Sequence, residues 1–332
     1  MTALSVNSSA SLNLKTVRRW IVAVGQPILQ AFIVSALVIV ITFFLIRLLL
    51  GDPAVAMLGG NTGASPERVA ALREELGLNQ PLWTQFTNYV AALLQGDLGN
   101  SFQHPATTVT EIIASGAGVT LALILLTLVI SSVVGVTFGL LTAGKNSPIL
   151  NRVVQVVSLI GLSAPGALVG LLLILIVALG TGWFPAGGWG SGYPENFHYL
   201  ILPAIAVSFW LAPIILRAVR DSASEVLNEP FAEAALARGM SRNRLMLRHV
   251  LPNAAGPVLT VIAVNLSYLV SGAVIVEIVF GLPGIGRAMT TAVGASDFPV
   301  IQGLVMVTGA AVVVLNLAVE LITKIIDPRS TR

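Results

Sequence analysis

The stretch Glu233-Ala-Ala-Leu-Ala-Arg-Gly239 is a short helix-forming sequence with charges near both ends, set in a strongly apolar chain. Alanine and leucine favour helix, and glycine favours the left-handed geometry in which helices end. The stretch therefore predicts a short helix that stops at Gly239. Because charged groups are costly in hydrocarbon, this helix must face an aqueous compartment between membrane spans.

The composition of the whole chain indicates an integral membrane protein. Of its 332 residues, 55% are hydrophobic and 10% are charged, and the mean hydropathy is +0.89; soluble domains carry about 25% charged residues. The chain has no cysteine, which excludes disulfides, thiolate metal sites and cysteine nucleophiles. Its three histidines are far apart and form no ligand pattern, so we expect no catalytic residues and no metal site.

Six apolar stretches are long enough to span a bilayer, which needs about 20 residues per helix. They cover residues 27–47, 118–143, 153–179, 200–217, 257–279 and 302–326. In the third, Ser163-Ala-Pro-Gly166 favours a bend or close packing. The first is too long for the apolar region of a signal peptide and has no small-residue cleavage site.

The distribution of Lys and Arg fixes the orientation of these spans. With the N-terminus in the cytoplasm, 14 of the 18 basic residues lie inside, three lie outside, and Arg47 lies at the outer end of the first span. Cytoplasmic loops carry the excess of basic residues. Both termini and the Glu233–Gly239 stretch are therefore cytoplasmic.

These patterns predict an all-α polytopic membrane protein with six transmembrane helices. It would consist of a cytoplasmic tail (1–20), a first span (21–50), an extracytoplasmic helical insertion (51–117), a core of five spans (118–326) with a cytoplasmic loop (218–256), and a tail (327–332). Within the insertion, Ser65 is placed to cap a helix that begins at Pro66 and ends before Gly77, and a second helix covers about 81–94.

The sequence of the cytoplasmic loop predicts a short helix, a glycine bend and a second, basic helix. Asn228 would cap the first helix, with Pro230 in its first turn, and Ser241 would cap a second, basic helix. A helix of small residues approaches a partner closely, so the loop fits a groove on another protein. A solvated connector is the alternative, although long loops in compact proteins usually have a function.

The loop resembles the EAA loop of ABC-importer permeases, whose signature here comprises Glu233, Ala234, Ala235, Gly239, Leu251 and Pro252. The chain as a whole resembles the B-type permease subunit of the dipeptide, oligopeptide and nickel branch. Further matching motifs are Gly51-Asp-Pro53, Gly77-Leu-Asn-Gln-Pro-Leu82, Gly96-Asp-Leu-Gly-Asn-Ser101, Glu277 with Phe280-Gly281, Pro283-Gly284 and Gly286, Asp297-Phe-Pro-Val-Ile-Gln-Gly303, Asn316-Leu317 and Asp327-Pro-Arg329.

Three positions depart from that branch. Glu233 stands where the branch commonly has a basic residue, Glu320 where it usually has Asp, and Thr323 where it often has Tyr. The first difference bears on which ATPase subunit is accepted, and the other two bear only on packing in the last span.

The resemblance implies a type I permease fold in the bacterial inner membrane and a subunit that carries no catalytic site. It implies a second, homologous permease, one or two ABC ATPase subunits that bind ATP and magnesium, an external solute-binding protein and membrane lipid as partners. It implies no cofactor on this chain and no nucleic acid. Peptides are the expected solute; nickel or other metal chelates, haem and glycosides are the alternatives.

The resemblance also assigns roles to individual residues. The ATPase-coupling loop would use Glu229, Phe231, Glu233, Ala234, Ala235, Arg238, Gly239, Ser241, Arg244 and His249. The outer-loop motif is Phe280, Pro283, Gly284 and Gly286. Asn265, Tyr268, Ser271 and Glu277 are candidates for the translocation path. The polar residues among them could equally pair helices, and Glu277 could equally accept hydrogen bonds from the turn that follows it.

Three other functions fit the sequence less well than an importer: nucleotide binding, ion-driven transport and catalysis within the membrane. Gly139-Leu-Leu-Thr-Ala-Gly-Lys-Asn146 is close to a phosphate-binding loop, but Asn146 replaces the required Ser or Thr and no strand precedes it. An ion-driven transporter would show broken helices and charged residues at the membrane midplane. Glu320 is more simply explained by a contact with Lys324 one turn later. A membrane-embedded enzyme would need a cluster of His with Asp or Glu inside a span, and the sequence has none.

Overall fold

A computed structural model of the chain describes residues 28–45, 65–75, 77–143 and 148–326, together with residues 25, 47, 48, 52, 54, 55 and 58; the side chains of 257 and 319–326 are excepted. The predictions for residues 1–20, Gly51, Pro53, Lys145, Asn146 and 327–332, and for the side chains of Glu320, Thr323 and Lys324, lie outside what is described. The described part is helical, with one isolated antiparallel bridge between Asn100 and Thr108.

Twelve helices are described in chain order. They are α1 (Ile28–Leu45), α2 (Pro66–Glu75), α3 (Leu82–Leu94), α4 (Val109–Ala143), α5 (Pro148–Ser163), α6 (Gly166–Leu173, continued by a π-helix over Ile174–Leu179), α7 (Glu195–Leu227), α8 (Pro230–Ala237), α9 (Arg242–Leu245, continued by a π-helix over Met246–Val250), α10 (Leu251–Phe280), α11 (Ile285–Gly294) and α12 (Phe298–Ile326).

Five of these helices, α1, α4, α7, α10 and α12, are long and apolar enough to cross a membrane. The third predicted span, 153–179, is broken: α5 and α6 meet at a bend of 110°, and the pair counts as a sixth span if it crosses the membrane as one unit. The bend falls at the Ser163–Gly166 stretch that the sequence singled out, because Pro165 lacks an amide hydrogen and disfavours helical geometry at the residue before it.

The two longest spans, α4 and α7, pack closely through small residues. A Cβ atom added at Gly135 would lie 2.7 Å from Cγ2 of Ile215, and one added at Gly139 would lie 2.7 Å from Cβ of Val219. Helices in membranes associate largely through such close packing. Glycine at these two positions therefore sets the separation of α4 and α7.

The main apolar core lies where α4, α7 and α10 meet, and the other spans attach around it. Leu123, Leu211 and Leu269 are buried there. The α5 helix joins α7 at Gly161, whose added Cβ would lie 2.4 Å from the carbonyl oxygen of Phe209. On another side, α1 approaches α12 at Gly309. A Cβ atom added at Gly309 would lie 3.2 Å from Cγ1 of Val38.

The outer insertion contains the two predicted helices. The Ser65 hydroxyl accepts a hydrogen bond from the Arg68 amide at 3.4 Å at the start of α2, and Gly77 follows the helix with φ +66°. An ion pair between Arg73 and Asp52 ties α2 to the segment after α1. The helical character predicted for this insertion is therefore confirmed over the described residues.

Candidate functional site

The predicted cytoplasmic element is a short helix, α8, anchored to the spans by two alanines. Ala232 and Ala235 are buried against Leu245 of α9, with Leu227 and Met240 beside them. Pro230 occupies the first turn, where its missing amide hydrogen costs nothing. Small side chains on the buried face let α8 lie close to the helices that carry it.

Gly239 ends α8 in a Schellman motif. Its φ is +84°, its amide donates to the Leu236 carbonyl at 2.9 Å, and the Met240 amide donates to the Ala235 carbonyl at 3.1 Å. These bonds satisfy carbonyls that would otherwise lack partners at the helix end. Met240 then packs against the cluster of Ala232, Ala235 and Leu245, and this contact fixes the direction in which the chain leaves α8.

Two predicted caps differ in the structure. Asn228 ends α7, and Glu229 occupies the N-cap position of α8, so the prediction that Asn228 caps that helix is wrong. Asn228 is the C-cap of α7 because that helix continues to Leu227, well beyond the apolar stretch from which its end was predicted. Ser241 does stand at the N-cap of α9, in extended geometry, but its side chain makes no capping hydrogen bond.

The outward face of α8 combines apolar and charged groups. Phe231 is 42% exposed and Leu236 is 44% exposed, which is unusual for large apolar side chains on an aqueous loop. Glu233 and Ala234 lie on the same exposed surface, and the Arg238 guanidinium folds back to donate to the Ala234 carbonyl at 3.2 Å.

The charge around α8 is mainly positive. On α8 and the segments next to it in the chain, four arginines and two glutamates are exposed. The arginines are Arg238, Arg242, Arg244 and Arg248, and the glutamates are Glu229 and Glu233. In the described part of the chain, none of them forms an ion pair within 4 Å. The exposed phenylalanine and leucine, ringed by free charges, have the character of a protein-docking surface.

The second, basic helix predicted after the glycine bend is present, and it extends beyond the predicted 218–256 loop into α10. Helical geometry runs without interruption from Arg242 through the π-helix and α10 to Phe280. Between α7 and this helix, only 228–229 and 238–241 are non-helical. The segment that follows α8 therefore leads directly into α10.

The π-helix lies at the predicted Leu251-Pro252-Asn253 motif. The Leu251 amide donates to the Met246 carbonyl, five residues back. Pro252 has no amide hydrogen and its ring would clash with a carbonyl in a regular helix, so a widened turn accommodates it. The Asn253 side chain donates to the His249 carbonyl at 2.8 Å. The half-buried His249 ring lies 6.2 Å from that of Phe231, which links this turn to α8.

The path candidates on α10 divide by their surroundings. The Asn265 side chain donates to the Val261 carbonyl of its own helix at 2.8 Å. Tyr268 and Ser271 lie on an exposed face, and the Tyr268 ring is 6.1 Å from that of Trp210. A neighbour of these residues, Ser267, donates to the Asn316 side chain of α12 at 3.0 Å and so pairs two spans.

Glu277 is fully buried and organises the turn that follows α10. Its carboxylate accepts from the Thr120 hydroxyl at 2.6 Å and from the Gly286 amide at 2.7 Å. Thr120 in turn accepts from the Ile285 amide at 3.0 Å. Glu277 thus has the hydrogen-bonding role, and it does not share an open face with Tyr268 and Ser271. The sequence did not reveal Thr120, which lies 157 residues away from Glu277.

The glycines of the outer-loop motif are required because the backbone there packs closely against Glu277 and Val274. A Cβ at Gly284 would fall 2.3 Å from the Glu277 carboxylate, and one at Gly286 would fall 2.5 Å from the backbone of Val274. Phe280 is buried in the main core, and its carbonyl accepts from the Gly188 amide at 2.7 Å. Pro283 directly precedes Gly284 and lines a cleft of about 380 Å³. Glycine is required here for close approach.

A second buried carboxylate is Asp297, which opens the Asp297–Gly303 motif and was not among the predicted site residues. It accepts from the Ser101 hydroxyl and from the amides of Phe102 at 3.1 Å and Gln103 at 3.3 Å. The Gln103 side chain also donates to the Ala295 carbonyl at 2.9 Å. Asp297 therefore fastens the segment before α4 to the start of α12. Its position beside a helix-initiating Pro299 was the only local signal.

Comparison with known proteins supports this arrangement. The profile of the family described as "Binding-protein-dependent transport system inner membrane component" matches residues 135–332, and that of the N-terminal region of such membrane components matches residues 19–124. A crystal form of the MetNI methionine ABC transporter, in inward-facing conformations, has the same fold with a TM-score of 0.52; the match has 19% identity and covers 65% of this chain and 96% of that one.

Two curated relatives extend over most of the chain. The probable peptide ABC transporter permease protein y4tP of Sinorhizobium fredii is 37% identical over 92% of this chain and 97% of its own length. The dipeptide transport system permease protein DppB of Escherichia coli is 31% identical over 87% of this chain and 92% of its own length. The chain is therefore a multi-pass inner membrane protein that belongs to the family of binding-protein-dependent transport system inner membrane components.

Proposed function

We propose that this chain is the B-type permease subunit of an ATP-driven importer of peptides. It forms a translocation path with a second, homologous permease, receives solute from an external binding protein, and is driven by separate ATPase subunits. Family membership supports the multi-component assembly, and the peptide permease names of y4tP and DppB support the solute class.

The exposed face of α8 carries the proposal that this element docks with an ATPase. Phe231 and Leu236 are exposed on the two flanks of the helix face that is anchored through Ala232 and Ala235. A helix held in this way fits a groove with its apolar side chains as anchors, while the surrounding arginines favour an acidic rim. Closing of the ATPases on ATP would then displace α8 and the helix joined to it.

According to this proposal, the chain itself binds no nucleotide. Gly139, the first glycine of the stretch that resembles a phosphate-binding loop, lies inside α4 and packs against Val219. A phosphate-binding loop needs free backbone amides at the start of a helix, and amides inside a helix are already hydrogen-bonded. ATP and magnesium therefore belong to the partner ATPases.

The docking role is tested by the double substitution Phe231→Ala with Leu236→Ala. In the complete transporter reconstituted in liposomes, this variant should lose most ATPase binding and binding-protein-stimulated ATP hydrolysis. Glu225→Gln is the matched control, because Glu225 is also exposed at the cytoplasmic end of α7 but lies outside α8. Full stimulation in the double variant would contradict docking through this face.

The solute class is tested separately by uptake. Proteoliposomes that contain the complete transporter and its binding protein should accumulate labelled dipeptides or oligopeptides only with ATP. Uptake of a metal chelate, haem or a glycoside without any peptide uptake would overturn the peptide assignment and leave the docking proposal intact. ATP-independent uptake driven by an ion gradient would instead favour a secondary transporter.

A further inference from the structure

The outer insertion contains an unusual helix, α3, which has no charged residue along its whole length, Leu82 to Leu94. At 100° per residue its large apolar side chains fall within an arc about 140° wide. That arc comprises Leu82, Trp83, Phe86, Tyr89, Val90, Leu93 and Leu94. The opposite side carries small and uncharged polar residues, so α3 is amphipathic without being charged.

Aromatic contacts fix the level of α3 relative to the membrane. The Phe86 ring lies 5.2 Å from that of Phe43 and 5.7 Å from that of Phe44, and the Tyr89 ring lies 5.6 Å from that of Phe43. Phe43 and Phe44 belong to the last turn of α1, at the outer end of that span. The helix α3 therefore lies beside the outer boundary of the hydrocarbon layer.

Arg47 marks the same boundary from the polar side. Its guanidinium carbon lies 3.7 Å from the centre of the Phe43 ring, and its Nε donates to the Gln85 side chain at 3.3 Å. A cation held over an aromatic ring and bonded to an amide is suited to the headgroup region. Arg47 thus joins the end of α1 to the polar side of α3.

One edge of the apolar arc is largely exposed, and the Trp83 ring contacts only that of Phe86 of the same helix among the described aromatic rings, at 5.4 Å. Trp83 is 67% exposed and Leu94 is 83% exposed, and Val90 is half-buried between them on the same row. Leu48, just beyond α1, is exposed as well. Large apolar side chains are thus exposed both on this row and directly after α1.

We propose that α3 is an interfacial helix whose Trp83–Val90–Leu94 row is buried in the outer leaflet of the lipid bilayer. Lipid is the occupant that fits best. The aromatic contacts hold α3 at the end of a span, the row is apolar and exposed, and the helix offers no charge to a protein partner. Tryptophan is also enriched at this depth.

This placement assigns the insertion a second anchor in addition to α1. With α3 held in the interface, α2 is tied through Arg73 and Asp52 to the same region. The outer insertion then keeps a fixed height above the bilayer, and its polar surface stays available to whatever approaches from outside.

The absence of cysteine allows a direct test. A nitroxide spin label is attached to Leu94→Cys in the complete transporter, reconstituted in vesicles of phosphatidylcholine and phosphatidylglycerol, and to Asn88→Cys as the matched control on the polar side of α3. At Leu94 the label should collide more with oxygen than with a water-soluble nickel chelate, and at Asn88 the order should be reversed. Depth measured at Leu94 should place it within the outer headgroup boundary.

Two outcomes would overturn the proposal. A label at Leu94 that is inaccessible to both reagents would mean that a partner subunit covers this row. A label at Leu94 that prefers the nickel chelate would mean that the row faces water. Trp83→Cys provides an independent position on the same row, so the result does not depend on one variant.

Discussion

The buried pair of Thr120 and Glu277 allows a quantitative prediction about the outer turn. The substitutions are Thr120→Val, which keeps the shape of the side chain but removes the hydroxyl, Glu277→Gln, and the two together. The Thr120 hydroxyl donates to Glu277 and accepts from Ile285, so its removal leaves two groups short of a partner.

The magnitude follows from those two orphaned groups. Each buried polar group without a partner costs about 1–3 kcal/mol, and the Ile285 amide is only partly buried. We expect Thr120→Val to lower the free energy of unfolding by about 2–4 kcal/mol. In Glu277→Gln, the side-chain NH₂ replaces one of the two accepting oxygens and faces either the Thr120 hydroxyl or the Gly286 amide, both of which are donors. The lost hydrogen bond costs about 1–3 kcal/mol. The double variant should cost less than the sum by about 1–2 kcal/mol, since one bond is lost only once.

The assay is equilibrium unfolding of the full chain in mixed micelles, followed by the fluorescence of its five tryptophans. Thr127→Val is the matched control, because Thr127 lies on the same helix and is buried, but its hydroxyl has no partner among the described residues. The reasoning is refuted if Thr120→Val costs no more than Thr127→Val, or if the single costs add within about 0.5 kcal/mol.

Three further predictions concern other parts of the chain. Gly239→Ala should weaken binding-protein-stimulated ATP hydrolysis, since left-handed geometry costs a Cβ-bearing residue about 1–2 kcal/mol, while Gly239→Asn should be milder; equal losses would argue against a backbone cause. Asp297→Ala should speed limited proteolysis near Ser101 in the complete transporter, because three hydrogen bonds are lost; unchanged cleavage would contradict the anchoring role. Burial raises the pKa of Tyr89 to about 12, so the stability that its packing contributes is complete below about pH 10 and is lost as the pH rises through about 12. Absorbance at 295 nm should show one late-ionising tyrosine that Tyr89→Phe removes, and ionisation of all tyrosines near pH 10 would exclude this.

The sequence predicted the elements whose signals are local. Gly239 after a run of alanines specifies a helix end, and Ser65 before Pro66 specifies a helix start, because each depends on a few neighbouring dihedral angles. Apolar length located five of the spans. The proline at 165 identified the place of the break in the third, although not its angle.

What the sequence could not provide depends on residues far apart or on helix length in water. Thr120 and Glu277 meet only because α4 and α10 pack together, and no local pattern records that pairing. The extension of α7 to Leu227 and the helical start at Arg242 lie beyond the apolar stretches, so hydropathy underestimates both helices. Asn228 was consequently assigned to the wrong helix end.

The uninterrupted helix from Arg242 to Phe280 has a mechanical consequence. At 1.5 Å per residue it is about 58 Å long, so a sideways shift of about 3 Å at its cytoplasmic end is a tilt of only about 3°. The hydrogen bonds of Glu277 near the other end tolerate misalignment of a few tenths of an ångström. We therefore expect α4 to move with α10, because Thr120 joins them, and α7 to follow, because its packing on Gly135 and Gly139 leaves no room to slide. Bending of the subunit is then expected outside this helix, at the break between α5 and α6.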